Sequence, residues 1–111
     1  MMLQYETARE IYEQMKEKVK GRKDGMESFY QLFLKSASDY AATRTSWAYM
    51  DQAGRVEDDR SRRVKHDGFI SLLNALSRNL GMEGIEEIMP DRKTKGDFAC
   101  YIALFLALEQ R

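Results

Sequence analysis

Proline is almost missing from this chain. Its one proline, Pro90, leaves the stretch before it free of helix-breaking residues of that kind. One cysteine, Cys100, excludes an internal disulfide and fits a reducing compartment. One histidine, His66, excludes metal sites that need several. Eighteen basic and 18 acidic residues cancel, so no overall basic field exists to hold nucleic acid or an anionic membrane. The longest apolar run, Phe98 to Leu108, falls short of the roughly 20 residues that span a bilayer. Met1 to Glu10 has no apolar core of a signal peptide. These absences predict a cytoplasmic chain with no membrane segment.

What is present is apolar periodicity. The 111 residues suffice for one domain, 1–111, and 43% hydrophobic content excludes a disordered chain. Asp24-Gly25 and Asp67-Gly68 sit inside helical patterns rather than between alternating strands. The expected class is all-α: an antiparallel bundle of four main helices, with a long central hairpin and a short helical turn before Pro90. The first helix, about Leu3 to Lys20, carries a seam of Tyr5, Ala8, Tyr12, Met15 and Val19 and stops at Gly21. The second opens at Asp24 with Glu27 three positions on, as in a capping box. It buries Met26, Phe29, Tyr30, Phe33, Ala37, Tyr40 and Trp47 and breaks at Gly54. The third runs from Arg55 to Leu80. The last begins near Thr94 and reaches Glu109. It is apolar nearly all round, so it is either central or packed against a second chain.

The third helix poses the functional question. Phe69, Ile70, Leu73, Leu76 and Leu80 form a core stripe that continues backward as His66, Arg62, Asp59 and Arg55. Pairing positions about Gly54 brings Arg44 within reach of Asp59, Asp51 within reach of Arg55 or Arg62, and Tyr40 within reach of His66. The short helices are expected to cover the Phe29–Leu80 end, leaving the tip around 40–66 under-covered. Breaking a buried ion pair there costs about 3–5 kcal/mol.

No metal site is expected. His66-Asp67 is superficially similar to the paired ligands of metal-dependent phosphohydrolases, but neighbours on a helix point about 100° apart. Glu10-x-x-Glu13 and Glu83-x-x-Glu86 resemble the paired acids of helical nucleotide pyrophosphohydrolases, yet Glu10 and Glu13 point away from the core seam. Arg60 or Arg62 followed by His66 resembles the arginine–histidine spacing of HEPN-type ribonucleases. Those are small helical bundles with paired active sites across a dimer, although Ser61 does not supply their usual polar residue after the arginine. That resemblance implies acid–base work at His66 and charge stabilisation by arginine. The run from Asp59 to Asp67, with Asp91-Arg92-Lys93 and Gly96-Asp97-Phe98 later, is similar to small proteins of Gram-positive bacteria and their mobile elements. This implies an intracellular bacterial setting.

The sequence therefore predicts a non-enzymatic helical bundle acting by association, first as a homodimer, with a further protein partner possible at the hairpin tip. Trp47, Cys100, Leu104 and Ala107 are the interface candidates. No cofactor is expected, and the acids Glu57 to Asp59 beside Arg60, Arg62, Arg63 and Lys65 argue against nucleic acid. The alternative is phosphoester cleavage by His66 with Arg62 or Arg60.

Overall fold

A computed structural model describes residues 2–47 and 52–111, and for 45–47 and 52–58 the backbone alone. The described residues form an all-helical bundle: α1 (Tyr5–Val19), α2 (Met26–Trp47), α3 (Gln52–Asn79), α4 (Ile85–Ile88) and α5 (Arg92–Glu109). Four long helices and one short turn before Pro90 reproduce the expected architecture. Among the described residues no helix is long and apolar enough to cross a membrane.

Apolar spacing explains which faces meet. On α1, Ala8, Ile11, Tyr12, Met15 and Val19 are buried, at the three- and four-residue spacing an amphipathic stripe requires. On α2, Phe33 stacks on Phe69 of α3 with ring centroids 5.3 Å apart, and seven residues later Tyr40 meets His66 edge-on at 5.0 Å. Moving toward the C-terminus of α2 thus moves toward the N-terminus of α3, so the two are antiparallel. Packing against both α1 and α2, α5 buries Phe98, Ala99, Ile102 and Phe105. Tyr5 meets Tyr101 at 5.9 Å and the Tyr12 hydroxyl donates to Glu109 at 3.0 Å, so α1 and α5 run parallel. Full burial of each such aromatic or aliphatic side chain contributes about 1.5–3 kcal/mol.

The termini depart from expectation in three places. Gly54 is not the break between the hairpin helices, because α3 already begins at Gln52 and runs through it. Asp24 and Glu27 do not form a capping box, since α2 starts at Met26 and its first bond runs from the Phe29 amide to the Gly25 carbonyl at 3.2 Å, which puts Gly25 rather than Asp24 at the cap. The last helix starts at Arg92 rather than Thr94. Asp91 caps it, accepting from the Thr94 amide at 2.7 Å and from the Thr94 hydroxyl at 2.6 Å. At the end of α3, Gly81 adopts φ 65°, and the Met82 amide closes onto the Ser77 carbonyl at 2.9 Å, as a left-handed helix stop requires.

The earlier start of α5 changes what covers the hairpin. The region near Tyr40 and His66 is not left without neighbours, because the first turns of α5 lie against it. Gly96 makes this approach possible. A Cβ there would stand 2.8 Å from the Tyr40 hydroxyl oxygen and 3.3 Å from His66 Nε2.

Candidate functional site: a cationic cavity and an apolar strip

His66 is the buried polar residue of the charged stripe, with 7% of its surface exposed. Its Nε2 lies 2.8 Å from the Arg92 carbonyl oxygen. A carbonyl only accepts, so Nε2 carries the proton, and in the neutral ring Nδ1 is an acceptor. Nδ1 is buried and has no hydrogen-bond partner among the described residues. Asp67 Oδ1 stands 3.9 Å away and already accepts from Arg92 at 2.6 Å. A buried polar atom left unpaired costs about 1–3 kcal/mol.

Around this ring lies a cavity of about 300 Å³ lined by Tyr40, Arg44, Arg62, Arg63, His66, Arg92 and Lys93. Three helices supply the wall. Among the described side chains that line it, five are permanent cations and none is a carboxylate. The balancing acids stand behind the wall: Asp97 against Arg44 at 2.9 Å, Asp59 against Arg62 at 2.6 Å and Arg63 at 3.0 Å, and Asp67 against Arg92. The hydrogen bond from Arg62 holds the Asp59 carboxyl below its ordinary range. Burial pushes the Tyr40 hydroxyl up, against the opposing charge of Arg44, so Tyr40 enters the cavity as a neutral phenol.

The expected network is therefore only partly the one that forms. Tyr40 and His66 meet, and Arg62 joins them in the same cavity wall. Arg44 does not reach Asp59. It pairs with Asp97 of α5 and donates to the Cys100 sulfur at 3.6 Å, because α5 rather than α3 flanks that turn of α2. Asp59 instead serves the two arginines one turn along its own helix. Arg60 is exposed and is not part of the cavity wall. Trp47, Asp51 and Arg55 fall outside the described side chains. Arg63, Arg92, Lys93, Asp97 and Gly96 were not among the predicted site residues. The signal for those on α5 was a glycine preceded by three cations, Arg92, Lys93 and Lys95, at the polar start of an apolar helix.

Glu10 is exposed and Glu13 pairs with Arg9 at 3.2 Å, so these acids form no interior pair. Among the described residues no three of His, Cys, Asp and Glu gather as metal ligands do.

A second feature lies on the outer side of α5. Leu104 is 43% exposed, Ala107 and Leu108 are exposed, and Cys100 is half-buried. Burial raises the Cys100 thiol pKa, so it sits there as a neutral, weakly polar group. Met2, Cys100, Tyr101 and Leu104 border a groove of about 290 Å³ that continues to Arg44 and Asp97.

No protein-family model matches this chain, and no curated protein or solved structure matches it significantly.

Proposed function

We propose that this protein is a non-enzymatic bundle that works by association, with a second copy of itself as the occupant of the α5 strip. The observation that carries this reading is the order of residues along that strip. Asp97, Cys100, Leu104 and Leu108 fall within about 40° of one line down the helix, and Arg111 follows two residues past its end at Glu109. The strip is apolar in its middle and oppositely charged at its ends. Two copies packed antiparallel about Leu104 place Cys100 opposite Leu108 and Asp97 opposite Arg111. A two-fold interface requires this self-complementarity.

Sedimentation velocity across micromolar concentrations tests the reading. The expected mass is twice the 13.0 kDa of the chain. Leu104→Glu, which puts two carboxylates face to face at the axis, should return it to one chain without unfolding it. A parent protein that stays at the single-chain mass throughout removes the proposal.

The ribonuclease-like alternative finds support in Arg62 and His66 sharing one cavity wall. Against it, Nε2 is committed to a main-chain carbonyl and Arg60 stands outside the wall. We therefore assign His66 to positioning, through its bond to the Arg92 carbonyl that ties α3 to the start of α5, rather than to proton transfer.

A further inference from the structure

We propose that the groove on the outer side of α5 is a socket for one side chain, Leu108 of a second copy. Each copy then gives the other one knob and takes one in return. The inference rests on the self-association proposed above and adds the contact that fixes its register and direction.

Helix geometry makes the socket. The α5 residues that border the groove are Asp97, Cys100, Tyr101 and Leu104. Steps of three, four and seven from the first residue put four side chains around one hole, as in knobs-into-holes packing. Cys100 is the smallest of the four apart from its charged neighbour's reach, which leaves room between Tyr101 and Arg44. Arg44 of α2 borders that side and donates to the Cys100 sulfur at 3.6 Å. Met2 borders the groove as well, and Tyr101 leans on Tyr5 of α1. Met2 is 71% exposed and Leu104 43%, so apolar surface of the described residues stands open at the rim. Small-molecule sites measure roughly 300–1,000 Å³, so about 290 Å³ suits a side chain better than a whole ligand.

Register selects the occupant. The hole is centred between residues 100 and 101, about 5 Å to the N-terminal side of Leu104. An antiparallel partner with its axis at Leu104 carries its own Leu108 about 6 Å in that direction. Such an axis also preserves lateral sides. Leu108 lies about 40° around the helix from Leu104, toward Tyr101 at about 60° and away from Cys100 at about 40° on the other side. The partner's Leu108 therefore comes down between Cys100 and Tyr101. In the single chain Leu108 is 39% exposed, free to act as that knob.

Charge decides the direction. Parallel copies would set Asp97 against Asp97 and Arg111 against Arg111, with no leucine at the level of the hole. Antiparallel copies set Asp97 against Arg111 at both ends. Asp97 keeps its Arg44 pair at 2.9 Å, so Arg111 meets it at the rim, where charge sets orientation more than affinity. One knob and one hole per copy are both used within the pair. Association therefore closes at two copies instead of running on as a filament.

Cysteine cross-linking on the full chain reads the register. The two Cys100 residues of the pair stand about 12 Å apart along the helices, past the roughly 7 Å that a disulfide spans between Cα atoms. Under copper phenanthroline oxidation, where sedimentation shows two copies, the parent should stay unlinked. Leu108→Cys faces the partner's Cys100 and should form a disulfide-linked dimer at least tenfold faster than the parent. Leu108→Cys with Cys100→Ser should stay unlinked, since its two cysteines are again about 12 Å apart. A second measurement needs no substitution. Alkylation of Cys100 by N-ethylmaleimide in the parent should slow tenfold or more between concentrations that give one copy and two, because the knob covers the sulfur. A parent that sediments as one chain throughout overturns the association and this inference with it. A parent that pairs, while a paired Leu108→Cys stays unlinked or alkylation keeps its single-chain rate, overturns the socket and leaves association standing. Cross-linking of the parent through Cys100 overturns the register. Should Leu108→Cys fail to pair or to fold, the alkylation rate of the parent decides.

Discussion

Replacing Gly96 with alanine probes the contact that closes the bundle over the cavity. The position is helical, and its φ is not among the positive ones, so alanine meets no backbone strain. On propensity alone, alanine in a helix interior stabilises by about 1 kcal/mol over glycine. The new Cβ would instead stand 2.8 Å from Tyr40 Oη, with His66 Nε2 at 3.3 Å and Cδ2 at 3.4 Å. Neither neighbour yields easily. Both are buried, and the His66 ring is tied to the Arg92 carbonyl. Forcing one extra carbon into such packing costs about 1–3 kcal/mol. The difference is a net loss of up to about 2 kcal/mol. Gly68 supplies the control on α3: it is exposed, and a Cβ there meets nothing within 4 Å. Gly68→Ala should therefore gain about 0.4–1 kcal/mol. Urea melts with a common m-value read both changes. If Gly96→Ala is as stable as Gly68→Ala, α5 does not approach α2 and α3 as closely as described, and the cavity loses one wall.

Three further outcomes follow from the packing and the charges. Leu73→Ala should cost about 2–5 kcal/mol and Val64→Ala under about 0.5, since Leu73 is buried and Val64 is 71% exposed; equal losses in denaturant would mean α3 is wrongly phased. Arg44→Met and Asp97→Leu should each destabilise, with a double mutant that recovers part of the loss, a coupling of about 0.5–3 kcal/mol; Arg44→Met with Asp59→Leu should be additive, and the reverse pattern would restore the pairing first expected from the hairpin. Glu109 has its carboxyl held below the ordinary range by Lys16, with Tyr12 adding a hydrogen bond, so the stability it lends is present above the unfolded pKa and lost as pH falls through the folded one. Melting temperatures between about pH 5 and pH 2 should thus fall less steeply in Glu109→Gln than in the parent, and parallel curves would refute the linkage.

Helical phase was legible in the sequence because burial writes it directly. The run Tyr12, Met15, Val19 on α1 and the run Phe69, Leu73, Leu76, Leu80 on α3 are buried as their spacing predicts. Glycine at 21 and 81 ended helices where φ had to turn positive. Gly54 carries the same letter but lies within α3, so the residue alone does not distinguish a stop from a tolerated interior glycine. Pairing positions about Gly54 nonetheless brought Tyr40 to His66, and it was α5 that took Arg44 away from Asp59.

The site was half legible for a different reason. Periodicity tells which residues share a face of one helix, and it placed Arg62 and His66 together without saying which helix would face them. The answer depended on where α5 begins. The Asp91 cap sets that start two residues before Thr94, which puts Arg92 and Lys93 on the first turn. Gly96 then permits close approach, and Asp97 meets Arg44. Each arginine of the described cavity wall then finds a carboxylate: Arg62 and Arg63 find Asp59 on their own helix, Arg92 finds Asp67, and Arg44 finds Asp97 across on α5. Because those acids hold the arginines from behind, the charged groups that line the cavity among the described residues are all donors. That asymmetry, rather than the density of charge along α3, is what gives the stripe a chemical direction.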